Sequence, residues 1–76
     1  MGAYVGVIVV IGEPALVAGY AMAGATIMPV RGPDEVRRAW ETLPSGTTLV
    51  ILTASAADAL GGRLSEPDPL TAVMPA

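Results

Sequence analysis

The sequence contains no cysteine and no histidine. Disulfide frameworks and the common zinc and transition-metal sites draw on those two side chains, so both are excluded as sources of stability or chemistry. Lysine is absent too, and the four basic residues are Arg31, Arg37, Arg38 and Arg63. That removes Schiff-base chemistry and any lysine-based phosphate cradle. With a net charge of −3, the chain cannot present the stripe of cations that displaces counterions from a duplex, so nucleic acid is not an expected partner. Charge of either sign is scarce early on: between Met1 and Val30 the one charged side chain is Glu13.

Such an apolar start invites a membrane reading, which fails on length. The uncharged stretch from Ala15 to Val30 has 16 residues, short of the roughly 20 needed to cross a hydrocarbon core. Gly19, Gly24 and Pro29 also interrupt it. Ala21-Met22-Ala23 imitates a secretory cleavage site, but no basic residue precedes the apolar run. The expectation is a cytoplasmic chain with no direct membrane insertion. Its 76 residues make a single domain, 1–76, and a domain of that size buries only about 60% of its unfolded surface. With disulfides and metal excluded, a partner surface is the remaining way to supplement so small a core.

What is present alternates between strand and helix signals. Tyr4 to Ile11 (YVGVIVVI) is β-branched without polar alternation, as in a strand buried on both faces. Gly12-Glu13-Pro14 breaks it, and Pro14 suits the first turn of a helix running to about Ala23, with Leu16, Val17, Tyr20 and Ala23 on one side and Gly24 as a left-handed cap. Ala25 to Val30 reads as a strand that Pro29 assigns to a sheet edge. Pro33, Asp34 and Glu35 open a second helix with an apolar stripe of Val36, Ala39, Trp40 and Leu43. Trp40 is therefore read as core. Asp34 with Arg38, and Arg37 with Glu41, are expected i,i+4 pairs on the solvated face.

After the turn Pro44-Ser45-Gly46, Thr47 to Thr53 forms a third strand. Ser55 with Asp58 resembles a capping box opening a third helix that reaches Leu60 or Leu64, and Leu70 to Met74 forms a short fourth strand. The alternation points to a small three-layer α/β/α domain around a four-stranded parallel sheet of order 2-1-3-4. Its topology is flavodoxin- or receiver-like, cut off after the fourth strand. The first helix is expected on one face, and the second and third on the other.

No catalytic constellation stands out. A receiver site resembles an acidic pair after the first strand, an Asp after the third and a Lys near the end; here those places hold Gly12-Glu13, Thr53 and nothing. Glu13 alone reads as a solvated turn carboxylate, since general acid–base work needs a second group in reach. The glycines match neither GxGxxG nor GxxxxGK[ST]. Ser45, Ser55 and Ser65 have no histidine to activate them, and cap and turn roles suffice. No catalytic residue, cofactor or metal ligand is assigned.

Ile11-Gly12-Glu13, followed by Gly19-Tyr20-Ala21-Met22-Ala23-Gly24, resembles the start of the F subunit of the V-type and A-type rotary ATPases, where a strand leads into I-G-D and then G-F-x-L-A-G. The similarity continues through Val30-Arg31-Gly32-Pro33-Asp34-Glu35-Val36 and Leu49-Val50-Ile51-Leu52-Thr53. Glu13 replaces the family's Asp, and Ala21 replaces a residue that is often basic. The family usually continues into a C-terminal helix, whereas this sequence ends at Pro75-Ala76.

The resemblance implies a non-catalytic central-stalk (rotor) protein, peripheral to the membrane, in a proton- or sodium-translocating ATPase or ATP synthase. Its partners would be the coiled-coil D subunit of the shaft and the catalytic-head subunits. Gly19, Tyr20, Ala23 and Gly24 are the candidate partner-binding residues, with Gly19 and Ala23 letting another backbone approach the first helix. The alternative is a degenerate receiver-like adaptor with no phosphoacceptor site.

Overall fold

The computed structural model describes residues 6–20, 24–66 and 69–74. Its elements run β1 (Val7–Gly12), α1 (Pro14–Val17), β2 (Thr26–Pro29), α2 (Pro33–Glu41), β3 (Thr47–Leu52), α3 (Ala54–Leu60) and β4 (Leu70–Val73). Short 3-10 turns follow α1 at Ala18–Tyr20 and α3 at Gly61–Ser65. The four strands form one parallel sheet of order β2-β1-β3-β4, the order expected from the alternation of segments. Tyr4, Val5 and Ala23, expected in the first strand and first helix, lie outside the described residues.

The centre of the sheet is apolar because β1 and β3 each lie between two strands, with α2 and α3 over one face and α1 over the β1–β2 part of the other. Val9, Val10 and Ile11 are fully buried, as are Val50 and Leu52. Side chains alternate along a strand, and β1 pairs with β3 through Val9 with Val50 and Ile11 with Leu52. Those four therefore share one face. They join Val30, Val36, Ala39, Trp40, Ala56 and Leu60 in the main core, the face covered by α2 and α3. Trp40 is buried there, as its stripe required, and Leu43 packs at the margin.

The other face has a thinner cover. Val10 and Val17 are buried, and α1 lies over β1 and β2. α1 is a single turn, and among the described residues no helix covers β3 and β4 on this side. Ile8 pairs with Leu49, and Leu49 with Leu70, which makes a cross-strand apolar row on the thinly covered face. Ile8 is 40% exposed and Leu70 68%. Leu16, expected on the buried side of the first helix, is 54% exposed instead. The α-helical pattern stops at Val17 and passes into a 3-10 turn, so the 3.6-residue spacing behind that expectation does not extend along the segment.

Two further expectations are corrected. The surface pairs are Arg37 with Asp34 and Arg63 with Glu41, rather than Asp34 with Arg38 and Arg37 with Glu41. Arg37 reaches back one turn, and the turn after α3 brings Arg63 to Glu41. The cap of α3 is Thr53, whose hydroxyl accepts from the Ala56 amide; Ser55 lies inside the helix. Left-handed glycines stand at Gly24 (φ 80°) and Gly46 (φ 87°), where a cap and a turn were expected.

Candidate functional site

In a sheet of this order, ligands and functional groups gather beyond the carboxyl ends of the strands, at the point where successive crossovers leave in opposite directions. Here that point lies between β1 and β3. Glu13 follows the last residue of β1 and Thr53 the last residue of β3, so parallel pairing of the two strands sets them side by side. The Thr53 hydroxyl donates to Glu13 Oε1 at 2.6 Å, and the Ser55 hydroxyl donates to the same oxygen at 2.9 Å.

Both hydroxyls are committed to one carboxylate oxygen. The hydrogen bond from Thr53, then that from Ser55, favours the charged form and holds the Glu13 carboxyl below its ordinary value of 4.5, against a weaker opposing effect of desolvation. Thr53 is 2% exposed and is the buried polar residue of the core. Its needs are met on both sides, because its oxygen also accepts from the Ala56 amide at 3.4 Å. Gly12 makes room for this arrangement: a β-carbon there would overlap the Thr53 side chain.

Beside the clasp lies a small hollow of about 140 Å³, lined by Glu13, Val30, Arg31, Gly32, Pro33, Val36 and Ser55. Its polar side chains are the Glu13 carboxylate, the Ser55 hydroxyl and Arg31. Among the described residues no three His, Cys, Asp or Glu side chains come together as a cation site. The geometry suits a structural tie between the β1–α1 turn and the start of α3. Both tie partners differ from their expected roles, which gave Glu13 to solvent and Ser55 to a cap. The signal was available: once β1 and β3 are placed as parallel neighbours, the residues just past their ends must meet.

Of the candidate partner-binding residues, Gly19, Tyr20 and Gly24 are described, and they follow the end of α1. Gly19 sits in the 3-10 turn, exposed, and a methyl group there or at Gly24 would meet nothing within 4 Å. Tyr20 closes that turn, and Ala23 lies outside the described residues. Gly19 is thus in a tighter turn than the α-helix from which its four-residue spacing to Ala23 was argued. Among the described residues nothing crowds Gly19 or Gly24.

These features define a class: a small, doubly wound parallel α/β domain with a tied strand-end turn and a thinly covered sheet face. Among solved structures, the crystal structure of the V-type ATP synthase F subunit from Archaeoglobus fulgidus has the same fold, with a TM-score of 0.77. The match covers 95% of this chain and 100% of that one, at 19% sequence identity, a level at which the likeness is one of fold. No known family model matches the chain, and no protein of curated function does. The family resemblance drawn from the sequence and the structural comparison thus converge on the same fold. Among the described residues no helix is long and apolar enough to cross a membrane.

Proposed function

We propose that this chain is a non-catalytic component of a rotary ATPase or ATP synthase, corresponding to the F subunit of the central stalk. The observation that carries the reading is the agreement of two independent lines. The order of short motifs from Ile11 to Thr53 resembles that family, and the fold matches one of its members along nearly the whole of both chains. In this role the domain contributes surface rather than chemistry. It binds the coiled-coil shaft, contacts the catalytic head, and helps couple ATP turnover to proton or sodium movement from a position peripheral to the membrane, on the cytoplasmic side.

Gly19, Tyr20, Ala23 and Gly24 are the proposed contact for the shaft, because small residues let a helix approach closely and an added methyl at Gly19 or Gly24 meets no described atom within 4 Å. A tagged chain expressed in its native cell should recover the coiled-coil shaft protein and catalytic-head subunits. Recovery of neither would refute the assignment. The receiver-like adaptor is the second reading, favoured by the position of Glu13 and Thr53 at the strand ends. Recovery of a signalling partner in place of ATPase components would select it.

A further inference from the structure

The two edges of the sheet differ in their free main-chain groups. Hydrogen bonds to neighbouring strands alternate along a strand, so every second residue turns its N–H and C=O outward. On β2 the Val30 amide donates inward to the Gly12 carbonyl, which leaves Ile27 and Pro29 facing out. Proline removes one of those two donors, and the β2 edge is blunted. On β4 the Met74 amide donates inward to the Leu52 carbonyl, which leaves Thr71 and Val73 facing out with both donors intact. Among the described residues nothing pairs with this edge of β4, and its Leu70 and Val73 are 68% and 50% exposed.

We infer that this edge pairs with the β4 edge of a second copy of the chain, antiparallel and centred on Ala72. The inference stands independently of the stalk reading. In an antiparallel pair, outward-facing residues must oppose outward-facing residues. Centring on Ala72 sets Thr71 against Val73 of the other copy, twice by symmetry, and engages every outward N–H of the strand. Leu70 meets Met74 of the other copy on the thinly covered face, continuing the apolar row of Ile8, Leu49 and Leu70 across the two-fold axis. No charged residue lies between Pro69 and Met74, so the symmetry brings no like charges together. A strand of four residues gives far less contact than the roughly 20–30 residues a side of a standard interface, so the association is weak and concentration-dependent.

The chain has no cysteine, which makes single-cysteine cross-linking of the full-length protein a clean test. At the two-fold axis the Ala72 α-carbons form a non-hydrogen-bonded pair about 4.5 Å apart, within disulfide range. Leu70, on the same face, lies about 14 Å from its counterpart. Under mild oxidation at about 100 μM, Ala72→Cys should cross-link at least tenfold faster than Leu70→Cys. The unmodified chain should gain mass with concentration in sedimentation equilibrium. Val73→Pro, which removes an outward donor, should abolish self-association. Ala72→Lys, an exposed position that opposes two cations across the axis, should do the same without touching the ladder to β3. Equal cross-linking of the two cysteine variants would overturn the proposal. So would a monomeric mass for the unmodified chain at millimolar concentration, or dimers that persist in Ala72→Lys.

Discussion

The Thr53 hydroxyl and the Glu13 carboxylate, 40 residues apart in sequence, meet at 2.6 Å beyond the ends of the two central strands. Their contact fastens the turn leading into α1 to the residue that caps α3. Thr53 thus serves the core twice, as a buried polar group fully paired and as the first acceptor of a helix.

Replacing Thr53 by valine keeps its volume and removes both bonds. A hydrogen bond to a charged group contributes about 1.5–3 kcal/mol and a helix cap about 0.5–2 kcal/mol. Urea unfolding of Thr53→Val should show a loss of about 2–4 kcal/mol. Ser55→Ala, at an exposed site, should lose less than about 1 kcal/mol. Equal losses from the two would show that the tie is shared evenly.

The acid response follows from the lowered carboxyl of Glu13. A carboxylate whose folded value lies below its unfolded one adds stability that is fully present above the unfolded value. That contribution is lost as pH falls through the folded value. Glu13→Gln should therefore be less stable than the parent chain at pH 7, with the gap narrowing below pH about 4.5. Denaturation curves at neutral, mildly acidic and strongly acidic pH provide the check, and a gap that widens on acidification would contradict the assigned cause.

Gly12 and Gly19 should respond oppositely to the same added methyl. At Gly12 it overlaps the Thr53 side chain, and overpacking of this kind costs about 1–3 kcal/mol. At Gly19 it meets open space, so stability should stay within about 0.5 kcal/mol. Thermal melts of Gly12→Ala and Gly19→Ala measure this directly. Under the stalk reading, a bulkier Gly19→Leu should leave the fold intact and weaken capture of the coiled-coil shaft.

Trp40 is the one tryptophan and lies in the main core, so its fluorescence reports global unfolding. A chain of this length has a total stability of about 4–11 kcal/mol. Truncating a buried tryptophan to alanine removes about 3–5 kcal/mol of it. Urea unfolding of Trp40→Ala, followed by circular dichroism, should show that loss of about 3–5 kcal/mol, whereas Arg63→Ala, which breaks an exposed pair, should change stability by less than about 1 kcal/mol.

The order of elements, the edge position of β2 and the buried face of α2 were all legible in the residues. Unbroken β-branched runs admit few placements other than the middle of a parallel sheet. Pro29 cannot sit in a central ladder, and Val36, Ala39 and Trp40 share a face only in a helix. Right-handed crossovers then leave few ways to order four strands.

Contacts between distant segments were decided by the tertiary structure. Thr53 and Ser55 both reach Glu13 because parallel pairing of β1 and β3 sets the strand ends side by side, a meeting that local spacing does not encode. Leu16 faces solvent because its helix shrinks to one turn over a half-covered sheet. Arg63 takes Glu41 because the turn after α3 carries it there. Periodicity is a property of neighbours along the chain, so it specifies elements and their faces. The partner of each polar group depends on which elements packing brings together.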